Sequence, residues 1–214
     1  MTDGYSELGR GVYDAHRAAA LSGIPWRTLH YWAQTGFYLP SVSPEPNVRL
    51  WSWLDLLALR TIDWLRKEKD NLPRTSIRKI RDALEQLNYR GISREYLHQF
   101  VVVSRGGDIF FDLPAMLVRA DSGGQTGLTD VLQPIKPYRT GPDLIKPRPL
   151  LRIIPGKLVG EPHVVDTRIS STAIYALYRD GYELEHIQQM YAITLRSALT
   201  EAIDLEQSLE NKAA

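Results

Sequence analysis

The 214-residue chain contains no cysteine. Disulfide bonds, thiolate metal sites and cysteine nucleophiles are therefore excluded. The five histidines are scattered through the chain, and no two of them have the helical spacing of metal ligands beside a carboxylate. We therefore expect neither a metal ion nor any other cofactor.

The sequence also offers little for catalysis. His163, Asp166 and Arg168 are close in sequence, but alternate residues of a strand point to opposite faces, so His163 and Arg168 are not expected on one side. No nucleophile stands beside an orienting base. The expected function is therefore not that of an enzyme.

Long apolar runs are absent as well. Neither a signal peptide nor a membrane span is predicted, so the cytoplasm is the expected compartment and a membrane is not an expected partner. The net charge is only +1, but it is unevenly distributed: residues 1–100 carry +3, residues 101–150 carry +1 and residues 151–214 carry −3. An acidic polymer would be drawn to the first hundred residues.

Those first hundred residues contain a helix with two chemically opposite faces. At about 100° per residue, one face is apolar and the other carries side chains that can contact a phosphate or a base edge. The apolar residues are Trp26, Leu29, Trp32 and Ala33, and the polar ones are Arg27, His30, Tyr31 and Gln34. A solvated helix side has the same pattern, but the neighbouring segments favour a recognition helix.

An Ala-rich helix over residues 15–21 precedes it. Asp14 is the expected N-cap and Gly23 the expected left-handed stop. Pro25 suits the first helical position of the next helix, which places Ile24 at its N-cap. Two short helices joined by a glycine-containing turn predict a helix-turn-helix.

Two extended arms are predicted after it, over residues 39–50, with Arg49 on the second arm. A helix opened by Ser52 follows over residues 52–69, and another over residues 73–88. The second has Ile77, Ile80, Ala83, Leu84 and Leu87 inside and a basic run of Arg74, Arg78, Lys79 and Arg81 outside. The run is typical of a solvated face, with phosphate contact as the alternative.

The order of these features resembles the MerR-type winged helix, whose usual form is close to R-T-L-R-Y-Y followed by Y-R-L-Y. The corresponding stretches here are R-T-L-H-Y-W and V-R-L-W, and the resemblance covers about residues 11–88. It implies base contacts by Arg27 and His30 and phosphate contacts by Tyr31 and Arg49. His30 stands where the family usually has arginine, so its charge depends on pH. The assigned DNA-binding residues are Arg27, Thr28, His30, Tyr31, Gln34 and Arg49.

The middle of the chain predicts a β-hairpin over residues 100–112, with paired glycines in its turn, and an exposed loop over residues 121–127. From residue 133 the chain is rich in proline and basic residues, which predicts a semi-rigid linker. The predicted organisation is therefore a DNA-binding domain at 1–90, a hairpin connector at 91–132, a linker at 133–152 and a second domain at 153–214.

The last domain predicts short strands over residues 151–154 and 163–165 and three helices. These helices cover residues 171–179 and 184–190, with Leu184, Ile187 and Met190 inside, and a last helix capped by Thr194, with Leu195, Leu199, Ala202, Leu205 and Leu209 inside. Helix, turn and capped helix predict a second, small helix-turn-helix. Its outward residues Thr194, Arg196, Ser197 and Thr200, together with Arg168, are candidates for a secondary contact with DNA or a partner.

The motif I-P-G-K-L-V-G-E-P-H-V-V-D-T-R-I-S and the spacing G-x-x-x-E-x-I resemble a small family of helix-turn-helix antitoxin modules, over about residues 151–209. With the MerR-like front, the whole chain resembles the longer VapB-type antitoxins of bacterial type II toxin–antitoxin pairs. This implies a partner of the PIN-domain ribonuclease class, a homodimer and binding to the chain's own promoter. Lys136, Arg139, Lys146 and Arg148 are the candidate toxin contacts, with the C-terminal tail as the alternative.

The expected fold is mainly α with small β elements, a MerR-like winged helix-turn-helix followed by a small helix-turn-helix domain. The expected function is that of an antitoxin that neutralises its toxin and represses its own promoter. The alternative is a stand-alone MerR-like regulator whose second half binds an effector or only dimerises.

Overall fold

The computed structural model describes residues 11–42, 48–67, 73–104, 108–113, 116–119, 132–134 and 146–213. Over these residues the protein is mainly α-helical with small β elements, as the sequence predicts. The helices are α1 Ala15–Ser22, α2 Trp26–Gln34, α3 Trp53–Arg66, α4 Ile77–Tyr89, α5 Leu97–Phe100, α6 Ser171–Arg179, α7 Leu184–Tyr191 and α8 Arg196–Ala213. The strands are β1 Val101–Ser104, β2 Ile109–Leu113, β3 Met116–Arg119, β4 Leu132–Pro134, β5 Leu151–Arg152 and β6 His163–Val164.

Helices α1 and α2 have the predicted turn between them. The Asp14 side chain accepts a hydrogen bond from the Arg17 N–H at 2.7 Å, and Gly23 ends α1 at φ +81°, donating its N–H to the Ala19 carbonyl at 2.9 Å. The predicted N-cap of α2 is wrong. Pro25 occupies it in place of Ile24, and no side chain caps the helix.

The two arms that follow α2 pair as an antiparallel bridge. Val42 and Leu50 exchange backbone hydrogen bonds of 3.2 and 3.0 Å, and the next residue, Trp51, pairs with Tyr13 just before α1. The tip between the arms, residues 43–47, lies outside the described residues. Both arms are thus tied to the start of the helical region.

Helices α3 and α4 differ from prediction at their facing ends. Ser52 caps α3 as expected, but α3 ends at Arg66 because Lys67 is extended and the Thr75 N–H bonds the Leu65 carbonyl at 2.7 Å. Helix α4 begins at Ile77, with Ser76 as N-cap, instead of at residue 73. Ile77, predicted inside, is exposed in this first turn, whereas Ile80, Ala83, Leu84 and Leu87 are buried as predicted.

A four-stranded antiparallel sheet follows in the order β3-β2-β1-β4. The predicted hairpin is confirmed as β1 and β2, with Val101 opposite Phe111, although Phe100 belongs to α5. Strands β3 and β4 were not predicted; β4 includes residues 133 and 134, the expected start of the linker. The predicted loop at residues 121–127 lies outside the described residues.

The rear of the chain begins with the pair β5 and β6, in which Leu151 faces Val164. Helix α6 has the predicted bounds and Ser170 as its cap, whose side chain accepts from the Ala173 N–H. In α7 the inward stripe is Leu184, Ile187 and Tyr191, so Met190 is exposed rather than buried as predicted.

The predicted cap at Thr194 requires helix α8 to begin at residue 195, but the helix begins at Arg196. Leu195 therefore precedes the helix and is exposed, which makes its predicted burial wrong. The other four predicted inner residues, Leu199, Ala202, Leu205 and Leu209, are buried.

The first and last helices pack against each other, because α8 lies on both α1 and α6. A short turn over Leu158–Gly160 adds to this joint: the Val12 N–H bonds the Val159 carbonyl at 3.0 Å, and the Tyr13 hydroxyl donates to the Gly160 carbonyl at 2.9 Å. Buried side chains from both halves form one hydrophobic cluster.

Candidate nucleic-acid interface

Helix α2 has one buried and one exposed face. Leu29, Trp32 and Ala33 are between 1% and 4% exposed, and Trp26 is partly buried. On the other side Arg27, His30 and Gln34 are exposed and Tyr31 is 62% exposed, while Thr28 is half-buried at the margin. No other described segment covers the exposed face, so all four of its polar side chains are accessible to a ligand.

Three arginines lie over aromatic rings along α2. Arg27 lies over Trp26, which in turn contacts His16; Arg66 lies over Trp32, and Arg81 over Phe37. The distances from guanidinium carbon to ring centroid are 5.7, 5.9 and 5.8 Å, within the range of a cation–π interaction. Positive charge is therefore held at the beginning, middle and end of this segment.

Arg66 and Arg81 were not connected to α2 from the sequence. Arg66 on α3 and Arg81 on α4 contact the rings of Trp32 and Phe37, which are distant in sequence. Local sequence spacing cannot predict such contacts. Lys79, from the same basic run, instead pairs with Asp108 at 2.6 Å. Within this run, Lys79 therefore contacts the residue just before β2, whereas Arg81 contacts the ring of Phe37 just after α2.

His30 and Gln34 contact each other along the helix. The Gln34 Nε2 and His30 Nε2 atoms are 2.9 Å apart, at the i, i+4 spacing that brings side chains together on one helical face. Since an amide nitrogen only donates, His30 Nε2 accepts, and the neutral ring then carries its proton on Nδ1. Two of the predicted DNA-binding residues thus form one hydrogen-bonded unit.

Asp55 holds the root of the two arms. Its fully buried carboxylate accepts from the Tyr38 hydroxyl at 2.9 Å, the Ser41 N–H at 3.0 Å and the Ser52 N–H at 2.8 Å. Burial, followed by the nearby Asp55 charge, raises the pKa of Tyr38 well above its usual value. Asp55 was not predicted as part of the site, although the Ser52-x-x-Asp55 spacing is a capping-box signal.

Arg49, the predicted phosphate contact, is exposed on the second arm. It directly precedes Leu50, whose backbone is fixed to Val42. The Arg49 guanidinium is therefore exposed to solvent, and the backbone next to it is fixed by the hydrogen bonds between Leu50 and Val42.

The predicted secondary contacts lie on the rear part of the chain. Arg168, Thr194, Arg196, Ser197 and Thr200 are all exposed. However, the Arg196 guanidinium donates to the carboxylate of Glu185 on α7. This pairing offsets the positive charge of Arg196, so this surface attracts an anion less than the sequence alone suggests.

The predicted toxin contacts are only partly within the described residues. Lys146 is exposed, and Arg148 is half-buried and donates to the Pro147 carbonyl at 2.9 Å. Lys136 and Arg139 lie outside the described residues.

Arg17 forms a largely buried ionic cluster where α1 meets the rear part of the chain, which the sequence did not predict. Its guanidinium bonds Glu206 on α8 at 2.6 and 3.0 Å and Glu161 at 2.7 Å, and Glu206 also accepts from Ser171. Burial works against the charged guanidinium, but the two carboxylates outweigh it and raise the pKa of Arg17. No local spacing signals this cluster, because Arg17 is more than a hundred residues from both carboxylates.

The three polar residues at positions 163, 166 and 168 differ in their surroundings. His163, the first residue of β6, is buried; burial lowers its pKa, and its Nδ1 contacts the Glu161 carbonyl at 3.1 Å. Asp166 and Arg168 are exposed. Within the ranges described above, no group of three or more His, Asp or Glu side chains is arranged to hold a metal ion. No helix in those ranges has the length and apolar character to cross a bilayer.

The match to a known protein family lies in the rear half of the chain. Residues 152–204 match a family described as a protein of unknown function, DUF433. Among solved structures, the chain is similar to the X-ray crystal structure of Rv2018 from Mycobacterium tuberculosis, with 14% sequence identity, a TM-score of 0.49, and coverage of 90% of this chain and 97% of that chain. No curated protein sequence matches the chain.

Proposed function

We propose that this protein is a DNA-binding antitoxin whose α1–turn–α2 unit is a MerR-like helix-turn-helix and whose paired arms are its wing. The observation that carries the proposal is the exposed face of α2, where Arg27, His30, Tyr31 and Gln34 stand together and uncovered. An α-helix with its side chains is about 10–12 Å in diameter, which fits a major groove about 12 Å wide.

The charges around α2 support a duplex as the ligand. The helix Trp26–Gln34 contains no acidic residue, and Arg66 and Arg81 stand beside it. Arg49 extends the positive surface onto the wing. Phosphate contacts from such flanking cations orient a protein on DNA, while the helix reads the base edges.

The antitoxin part of the proposal rests on the resemblance of residues 151–209 to antitoxin modules and on the chemistry of the linker. PIN-domain ribonucleases hold metal ions on clustered carboxylates, so a cation such as Lys146 or Arg148 would be attracted to that site. The rear segment itself carries a net charge of −3, which favours protein contact over a second contact with DNA.

Two measurements on the full-length chain test the proposal. The first is binding to a duplex taken from upstream of its own gene, where we expect sequence-specific and salt-dependent binding. The second is co-expression with the protein encoded by the adjacent gene, which this proposal requires to be a PIN-domain nuclease; we expect rescue of growth. Absence of specific DNA binding removes the regulatory half of the proposal, and absence of rescue removes the antitoxin half.

A stand-alone regulator is the second candidate, and one observation favours it. A cleft of about 480 Å³ lies between α1, α6 and α8, lined by Arg17, Tyr175, Arg179, Glu206 and Glu210 among others. An effector bound there would touch both α1 of the DNA-binding unit and α8 of the rear half. DNA binding without rescue in co-expression would select this second candidate.

A further inference from the structure

We propose that His30 is a positioning residue that orients the carboxamide of Gln34 to read an adenine in the major groove. This rests on the proposed DNA-binding function and adds to it the identity of one base. The starting point is the 2.9 Å contact between Gln34 Nε2 and His30 Nε2 on the exposed face of α2.

The contact determines which hydrogen-bonding groups of Gln34 remain available. A free carboxamide has two N–H donors and one acceptor oxygen, and it can turn over to exchange them. With one N–H donated to His30, Gln34 retains one N–H and its Oε1 atom. While the neutral His30 ring carries its proton on Nδ1, turning the amide over would place Oε1 against an acceptor nitrogen, so this tautomer disfavours the turned arrangement.

The remaining pair of groups matches one base edge. Adenine presents the N6 amino donor and the N7 acceptor side by side in the major groove, and a carboxamide with one N–H and one oxygen satisfies both. Guanine presents two acceptors there, which would leave Oε1 facing an acceptor. Gln34 held in this way therefore prefers adenine.

The position of Gln34 on α2 permits this contact. Arg27, His30 and Gln34 follow one another at three- and four-residue steps, so they form a single exposed stripe that can run along the groove. Both His30 and Gln34 are exposed, so their replacement should leave the buried face of Leu29, Trp32 and Ala33 intact.

The test is selection of the full-length protein and its variants on a library of randomised DNA duplexes. The wild type should enrich a motif with an adenine preferred about 5- to 150-fold over other bases at one position, the range for a bidentate contact. Gln34→Glu has no N–H and should shift that position to cytosine, whose N4 amino group donates to a carboxylate. Gln189→Glu makes the same change on the exposed face of α7 and should leave the motif unchanged.

Variants at position 30 test the positioning role. His30→Ala should lose most of the preference at the position identified through Gln34, while the preference at the position read by Arg27 remains. His30→Asn supplies an amide oxygen that can accept the Gln34 N–H, and it should restore the preference in part.

The outcomes separate this inference from the function on which it rests. No enriched motif for the wild type overturns both. A motif in which the position sensitive to Gln34→Glu is not adenine overturns the inference alone, and so does full adenine preference in His30→Ala. Circular dichroism of each variant verifies that the helices are retained.

Discussion

At the scale of single residues, two arginines of the proposed interface have different surroundings. Arg27 lies over the Trp26 ring on the recognition helix, whereas Arg49 is exposed on an arm beside it. A guanidinium held against a ring loses less freedom when it binds a planar base edge, so Arg27 suits base reading. Arg49 suits a phosphate, which carries no sequence information.

We predict that Arg27→Ala reduces specific binding by about 1–3 kcal/mol and relaxes the base preference at one position. Arg49→Ala should weaken all duplexes alike and reduce the salt slope by about one unit. Fluorescence anisotropy with matched and scrambled duplexes at several salt concentrations measures both effects. Arg179→Ala, an exposed arginine on α6, is the control and should change neither. Equal losses on specific and scrambled DNA for Arg27→Ala would contradict its assigned role.

Gly160 lies where the turn over Leu158–Gly160 packs against Tyr13, and there is no room for a side chain at this position. Its φ is +88°, and a Cβ built there would lie 2.1 Å from the Tyr13 hydroxyl oxygen. Tyr13 is only 1% exposed, and its hydroxyl bonds the Gly160 carbonyl, so the ring cannot swing out into solvent. Both the backbone conformation and the contact therefore oppose any side chain.

We predict that Gly160→Ala lowers the free energy of unfolding by about 3 kcal/mol, combining a left-handed backbone with an overpacked contact. Gly181→Ala is the matched control, because Gly181 has φ +90° but no atom within 4 Å of the added Cβ. It should lose only about 1–2 kcal/mol. Urea unfolding of the two variants measures the difference, and similar losses would mean that the Tyr13 contact adds nothing.

At the scale of elements, the features that the sequence predicts correctly are those that depend on local signals such as helix caps. The start of α6 follows from its N-cap at Ser170, and α1 ends where Gly23 supplies a left-handed residue. The facing ends of α3 and α4 could not be predicted, because the Thr75 backbone returns to bond Leu65. Strands β3 and β4 depend on partners elsewhere in the chain, and the three-residue β4 has no periodicity of its own.

The candidate site divides in the same way. The two faces of α2 are a local property, so Arg27, His30, Tyr31 and Gln34 were predicted to lie together, and their exposure agrees. Arg66 and Arg81 were missed as parts of the site because their roles depend on long-range contacts, whereas Asp55 was missed despite its local capping-box spacing. The hydrogen bond between His30 and Gln34 was available from their i, i+4 spacing but was not inferred.

The short helix α5 makes the stability of the protein depend on pH. Burial lowers the pKa of His98 to about 4, although its Nδ1 contacts the Glu95 carbonyl at 3.1 Å. In the unfolded chain a histidine has a pKa of about 6.5. Between these two values the unfolded state binds more protons, so the free energy of unfolding rises with pH across this window and falls as the pH drops toward 4.

We predict a loss of about 3 kcal/mol between pH 7 and pH 4 from this one residue. His98→Gln cannot titrate and should remove that part of the pH dependence. Unfolding curves at several pH values measure the effect, and the ring protons of His98 in NMR spectra report its protonation directly. Titration of His98 near pH 6.5 in the folded protein would contradict the prediction.

At the scale of the whole molecule, the ionic cluster at Arg17 joins the two halves. Arg17 is on α1 and Glu206 is on α8, and Glu206 is only 4% exposed. Removing one partner of a buried ion pair leaves the other charge buried without compensation, which costs far more than losing an exposed pair. Helix α8 also carries Glu210, whose pairing with Arg179 is exposed. Helix α8 therefore contains one carboxylate of a buried ion pair and one carboxylate of an exposed ion pair.

We predict that Glu206→Gln lowers the free energy of unfolding by about 3 kcal/mol, the lower end of the range for a buried pair, because Glu161 still faces Arg17. Glu210→Gln should cost at most about 1 kcal/mol. All five tryptophans are between residues 26 and 64, so their fluorescence reports only on the front half. Because α1 and α8 share one core, the change made in α8 should shift the tryptophan transition in guanidinium. A tryptophan transition that stays in place while the helical signal falls earlier would mean that the halves unfold independently.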